Sequence, residues 1–90
     1  MRFRKKPVVI EAVQWDGVAF NEPAPAWLAD AFEAEPTQPG AARQWNNHIR
    51  IFTLEGILEA SPDNWIIRGV KGELYPCKPD IFAATYEPAE

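Results

Sequence analysis

Runs of β-branched and aromatic residues alternate along most of this chain with turn-forming residues, a pattern typical of antiparallel β structure. The run from Pro7 to Trp15 (PVVIEAVQW) predicts a first strand, and Asp16-Gly17 ends it with a turn. Because its apolar residues do not alternate cleanly with polar ones, we expect both faces of this strand to be covered for part of its length.

One segment instead has the spacing of an amphipathic helix. The pattern begins near Pro25 and stops at Pro36, and its apolar residues share one helical face: Trp27, Leu28, Ala31 and Phe32. A helix of about three turns is too short to be stable alone. We therefore expect its Trp/Phe face to pack on the sheet.

After a Pro/Gly/Ala-rich loop at residues 36–42, the pattern changes to short strands and tight turns. Residues 42–45 and 48–53 flank Asn46-Asn47, and asparagine tolerates the positive φ that a two-residue hairpin needs. Strand alternation in HIRIFT places two isoleucines on one face and His48, Arg50 and Phe52 on the other. This segment predicts a hairpin with one buried face.

The remaining third continues this pattern. Strands are predicted at residues 57–60, 65–68 and 73–76, with turns at residues 61–64 (SPDN) and 69–72 (GVKG) between them. A single helical turn through residues 81–83 and a last short strand near Tyr86 follow. The fold class is therefore α+β: a small antiparallel meander, as a curved sheet or partly open barrel, with one packing helix. We expect one domain over residues 1–90.

Composition narrows the setting. Cys77 is the only cysteine, so no disulfide can form within the chain, and a lone thiol suits a reducing cytoplasm. The apolar run after the basic start is too short for a signal peptide or a membrane span. We expect a cytoplasmic protein that does not act at a membrane.

The charge is unevenly distributed. Residues 1–6 carry four positive charges, so the net charge of −4 leaves −8 on the rest of the chain. This basic N-terminal arm suits an acidic partner, or it only solubilises the edge of the first strand. An acidic body opposes binding to a phosphate backbone, so nucleic acid is not the expected partner.

Both ends of the chain resemble small uncharacterised phage and prophage proteins: RKKPVVIEAVQW at the start, and the segment from residue 53 to residue 87. The second segment is also similar to proteins with a PGDYG-like motif, in which a Pro-Gly-Asp-aromatic turn precedes a strand. The matching positions here are Pro62, Asp63, Asn64 and Trp65. Asp63 replaces the motif's Gly, and we expect it to occupy a type I turn. The resemblance implies a viral or prophage origin and no particular activity.

No catalytic constellation is recognisable. Cys77 and His48 are the only Cys–His pair, and no third group is evident to orient them, although Lys78 beside Cys77 could lower the pKa of its thiol. One His and one Cys cannot complete a structural zinc site. We therefore predict no enzyme activity, no metal and no cofactor.

The stretch from Trp65 to Lys78 is the strongest candidate for binding, because it combines cations with aromatic rings. Such groups suit planar anionic ligands such as nucleotides. The candidate ligand-binding residues are Trp65, Arg68, Lys71, Glu73, Tyr75 and Lys78. Alternatively, Trp65 and Tyr75 belong to the core and the cations are solvated turn residues.

These observations predict a phage or prophage accessory protein that acts by binding. It would sequester a host protein or a small anionic, nucleotide-like ligand in the host cytoplasm, as a homo-oligomer. The alternative is a structural or interaction module of a virion or morphogenesis complex without a small-molecule ligand. That module would dock through an exposed strand edge or through the Trp27/Phe32 helix.

Overall fold

Six short strands and two helices make up the part of the chain that the computed structural model describes, residues 1–2 and 8–89. In chain order they are β1 (Glu11–Gln14), α1 (Ala26–Glu33), β2 (Ala42–Trp45), β3 (His48–Thr53), β4 (Gly56–Ala60), β5 (Trp65–Arg68), β6 (Leu74–Cys77) and α2 (Pro79–Thr85). All strand pairs are antiparallel. The α+β fold class is confirmed, and the described strands do not close into a barrel.

The strands form two three-stranded sheets. The first sheet has the order β1-β5-β6, and the second has the order β2-β3-β4. The first sheet joins distant parts of the chain, since Gln14 of β1 lies opposite Trp65 of β5. The second sheet is a local meander. The long-range pairing of β1 therefore completes the sheet that begins with β5.

One apolar core lies between the two sheets and α1. Val13 from the first sheet, Ile49 and Ile51 from the second, and Leu28 from α1 are almost completely buried. The Trp15 indole is 2% exposed, and its Nε1–H donates a 2.8 Å hydrogen bond to the carbonyl of Asn47. This bond ties the end of β1 to the β2–β3 turn, and so one sheet to the other.

Several local predictions are confirmed. The hairpin turns at Asn46-Asn47, with Asn46 at φ +54°, and the two isoleucines of β3 are buried while His48, Arg50 and Phe52 are half-buried. Trp27 and Phe32 pack against the core, as the helical spacing predicts.

Other boundaries differ from the prediction. The first strand begins at Glu11, because Val8 and Val9 are exposed and outside the sheet; Pro7 lies outside the described residues. Ala42, which belongs to both the predicted loop (36–42) and the predicted strand (42–45), lies in β2, so the predicted bounds of that strand are confirmed. The end of the loop is tied down, since the N–H of Phe52 donates to the carbonyl of Ala41.

Helix α1 ends at Glu33, before the predicted stop at Pro36. Ala34 already has an extended backbone, and the Arg43 guanidinium donates hydrogen bonds to the carbonyls of Ala31 and Ala34. A cation at a helix C-terminus satisfies carbonyls that lack an intrahelical partner. Arg43, which sequence patterning did not single out, thus fixes the end of the helix.

Four predictions for the C-terminal part of the chain are wrong. Strand β6 begins one residue later, at Leu74, and α2 continues to Thr85 instead of ending after one turn. Tyr86 follows the helix directly, and no strand is present there in the described residues. The SPDN turn closes as expected, with the N–H of Asn64 donating to the carbonyl of Ser61, but Asp63 has φ +74°. A positive φ at this position defines a type II turn, not type I.

Candidate binding groove

Helix α2 covers the face of the first sheet that points away from the core. Strand alternation puts Trp65, Ile67, Tyr75 and Cys77 on this outer face. Ile67 is fully buried there although it is not part of the core between the sheets. The first sheet is therefore covered on both faces, as its apolar sequence indicates.

An aromatic stack attaches α2 to the sheet. The ring of Phe82 lies parallel to the Trp65 indole, with centroids 4.1 Å apart and an interplanar angle of 8°. Tyr86 continues the row, its ring centroid 5.0 Å from that of Phe82. Stacked aromatic pairs contribute more than their buried area alone. One face of the Trp65 indole is thus occupied by Phe82 and is not available for a ligand.

The row of rings ends in a pair of tyrosine hydroxyls. The hydroxyl oxygens of Tyr75 and Tyr86 lie 3.5 Å apart. This hydrogen bond, followed by burial and by electrostatic interaction with Tyr86 and then Glu73, raises the pKa of Tyr75 to about 12. The phenol of Tyr75 therefore stays protonated and neutral far above physiological pH.

Beside α2 runs a groove of about 970 Å³. Its floor and walls come from three places: the segment around β1, the α2 helix and the chain that follows the helix. Representative lining residues are Val8, Ile10, Ala12, Trp65, Phe82 and Ala83. The charged residues on its lining are Glu22 and Glu87, and no Lys or Arg lines it within the described residues. The described part of the lining is thus apolar with two acidic residues, and residues 3–6 of the predicted basic arm lie outside the described residues.

The six candidate residues are not brought together in this groove. Trp65 lines it, whereas Tyr75 is on the same sheet face but bonds to Tyr86. Arg68 is exposed and lies on the opposite sheet face from Trp65, because the two are separated by an odd number of positions. Arg68 therefore lies on the opposite face of the sheet from the two aromatic residues of the candidate set, Trp65 and Tyr75.

The other three candidates lie in exposed connections. Glu73 folds back over the turn, where its Oε2 accepts a 3.0 Å hydrogen bond from the N–H of Lys71. Its carboxylate also fills the space beside Gly69 that a β-carbon would need. Lys78 is exposed at the start of α2. Glu73 shapes this turn, and ligand binding by the set stays a prediction.

Cys77 is half-buried at the end of β6. Burial, with a smaller contribution from the negative charge of Asp80, raises the pKa of its thiol. The sequence suggested the opposite direction, through Lys78. Because burial and the charge of Asp80 both oppose ionisation, Cys77 is a thiol and not an activated thiolate. No cluster of three or more His, Cys, Asp or Glu side chains suited to a metal occurs among the described residues.

Sequence patterning missed a second grouping of a cation and an aromatic ring, on the outer face of the second sheet. The Arg50 guanidinium lies 4.7 Å from the centre of the Trp45 ring, and its Nε is 3.3 Å from a carboxylate oxygen of Glu59. Part of this grouping could be predicted, because strand alternation in HIRIFT places Arg50 on the sheet face opposite to that of the isoleucines. Recognising Trp45 and Glu59 as its neighbours required the strand register.

Comparison with known proteins finds no match: no protein-family model, curated protein or solved structure corresponds to this chain. Within the described residues, no helix has the length and apolar character needed to cross a membrane.

Proposed function

We propose that this chain is a phage or prophage accessory protein that acts without catalysis, by holding a segment of a host protein in the groove beside α2. The observation that carries the proposal is the groove itself. Its volume of about 970 Å³ is at the upper end of the roughly 300–1,000 Å³ typical of drug-sized ligand sites, so it has room for several side chains.

The charges favour a polypeptide over the small anionic ligand. An anion entering the groove would approach Glu22 and Glu87, and it would meet no cation on the lining described here. A segment that combines apolar side chains with a Lys or Arg would be attracted instead. The partner that we propose is therefore an apolar, basic stretch of a host protein.

Such a protein acts only by binding the host segment. Binding withdraws the host segment from its normal partners in proportion to the concentration and affinity of the complex. The aromatic stack of Trp65 and Phe82 provides a rigid wall for the groove, which reduces the conformational entropy lost on binding.

Nuclear magnetic resonance titration with short synthetic peptides tests the proposal. One peptide is rich in Val and carries Lys at both odd-numbered and even-numbered positions (the Val/Lys peptide), its counterpart has Glu in place of Lys, and cyclic and linear nucleotides form a third arm. We expect the Val/Lys peptide to shift the resonances of Ile10, Ala12 and Ala83, and the Val/Glu peptide to bind more weakly. Failure of the Val/Lys peptide to bind, or nucleotide-induced shifts in the groove, would overturn the proposal.

Two substitutions on α2 make a matched pair. Ala83 lines the groove, whereas its neighbour Ala84 is exposed and does not. Ala83→Arg should reduce the affinity for the Val/Lys peptide by about tenfold or more, which corresponds to a loss of at least ~1.4 kcal/mol of binding free energy. Ala84→Arg adds the same charge to the same helix and should leave the affinity nearly unchanged.

One observation favours the second candidate, an interaction module of a virion or morphogenesis complex. Strand β4 is an edge of the second sheet, and its residues Gly56 to Glu59 are all exposed, including Ile57 and Leu58. Exposed apolar edge strands favour pairing with another chain. The Trp27/Phe32 helix face packs against the core and is partly buried, so we propose the strand edge as the docking surface.

The same edge is our candidate surface for a homo-oligomer. Light scattering should then give a mass above 10.2 kDa, and Ile57→Lys should restore the monomer. A wild-type protein that remains monomeric at high concentration would contradict this assignment. Co-purification of virion proteins that is lost in Ile57→Lys would instead support the interaction module.

A further inference from the structure

The outer edge of β1, which runs along the groove, is covered for only part of its length. At its C-terminal end, the N–H of Gln14 donates to the Oδ1 of Asn21 at 3.1 Å, and the N–H of Asn21 donates to the carbonyl of Gln14 at 3.0 Å. The backbones of Trp15 and Phe20 also form a bridge. Residues 20 and 21 thus begin an additional strand beside β1.

This additional strand ends after Asn21. Asn21 is followed by Glu22 and then by Pro23, which has no N–H and cannot continue a hydrogen-bonded ladder. Within residues 8–89, nothing else pairs with this edge of β1.

The direction of the backbone groups follows from alternation. The N–H of Trp15 donates to Asn64, so Trp15 faces β5, and Gln14 faces outward to Asn21. In an antiparallel strand the direction reverses at each residue, so Val13 faces β5 and Ala12 faces outward. The N–H and carbonyl of Ala12 have no hydrogen-bond partner within the described residues. Ile10 is the next outward position along the chain.

These open backbone groups lie beside the groove, because Ala12 and Ile10 both line it. A strand placed against this edge would direct alternate side chains to the same sheet face as Ala12, and so toward Phe82 and Ala83. Glu22 would lie near that strand, since the chain leaves the edge there.

We infer that the host segment binds as an added strand, giving the order partner-β1-β5-β6, with main-chain hydrogen bonds to Ala12 and Ile10. This inference rests on the proposed function and specifies how the partner is held. Main-chain pairing supplies affinity, and the groove selects small apolar side chains at alternate positions. The carboxylates of Glu22 and Glu87 select a basic residue in the same segment.

Amide hydrogen exchange in the presence of saturating Val/Lys peptide tests the binding mode. Strand addition should slow exchange at Ala12 and Ile10 by tenfold or more, while Glu11 and Val13, which face β5, change little. Peptide binding without this alternating protection would overturn strand addition and leave the groove proposal in place. Absence of peptide binding would overturn both.

Backbone-modified partners provide an independent test. N-methylation of the peptide amide that pairs with Ala12 should reduce affinity about tenfold or more. Methylation of the next amide of the peptide, which points away from β1, should have little effect. Ala12→Pro should weaken binding similarly, because proline is tolerated at the open side of an edge strand but cannot donate. Equal affinities for both methylated peptides would contradict strand addition even if Ala12→Pro failed to fold.

Discussion

The Trp65 indole lies flat against the Phe82 ring, with centroids 4.1 Å apart, and this contact fastens α2 to the first sheet. Helix α2 has seven residues and buries none of them completely, so it has few other attachments. The position of the groove wall therefore depends on this aromatic pair together with the contact between the Tyr75 and Tyr86 hydroxyls.

Phe82→Ala should reduce the free energy of unfolding by about 1–3 kcal/mol, less than for a fully buried phenylalanine because Phe82 is half-exposed. Chemical denaturation would measure the change, and near-ultraviolet circular dichroism would report the loss of the stack. Ile81→Ala, at an exposed neighbour on the same helix, should change stability by less than about 0.5 kcal/mol. Equal effects of the two substitutions would show that the stack does not hold the helix.

Because Asp63 has φ +74°, substitutions at this position distinguish a type II turn from a type I turn. Asp63→Val should destabilise the protein by about 1–2 kcal/mol, because a β-branched side chain is strained at positive φ. Asp63→Gly should be neutral or slightly stabilising, since glycine adopts this conformation freely. Thermal unfolding of both variants checks the order, and a type I turn would reverse it.

Alkaline pH should weaken the attachment of α2 through Tyr75. A folded-state pKa of about 12, against an ordinary value of 10.0, means that its contribution is complete below pH 10 and is lost as pH rises toward 12. Tyr75→Phe should flatten this part of the stability profile. In Tyr86→Phe, tyrosinate absorbance should show Tyr75 titrating at a lower pH; an unchanged titration would contradict the role of the hydroxyl pair.

Acid should weaken the turn after β1 through Asp16. Its Oδ1 accepts 2.7 Å hydrogen bonds from the N–H groups of Val18 and Ala19, and these bonds lower the pKa of the carboxyl from 3.8. The stabilisation is therefore present above pH 3.8 and is lost as pH falls through the lowered pKa. Asp16→Asn keeps an acceptor but cannot titrate, so its unfolding free energy should fall less steeply in acid. Identical slopes for both proteins would refute this assignment.

Local patterning predicted the elements whose determinants lie close together in sequence. The alternation around Ile49 and Ile51, the Asn46-Asn47 turn and the helical face of Leu28 all act over a few residues, and each is found where it was expected. The type of the SPDN turn was not predictable in this way, because aspartate after proline is compatible with both signs of φ.

The candidate site was less predictable, because its geometry depends on pairing between distant segments. Sequence proximity grouped Trp65 with Arg68, but the strand period places them on opposite faces. The groove combines Ala12 with Phe82, and no local signal connects these positions. Glu73 resembled a ligand-binding group but accepts a hydrogen bond within its own turn.

The pairing of β1 with β5 also sets an order of events in folding. The second sheet joins neighbouring segments through short turns, so its contacts cost little loop-closure entropy. The pairing of Gln14 with Trp65 instead closes a loop of more than half the chain. We expect β1 to dock late in folding and to open early in local unfolding. The groove would then be the last surface to form, and a partner strand bound there would slow the opening of β1.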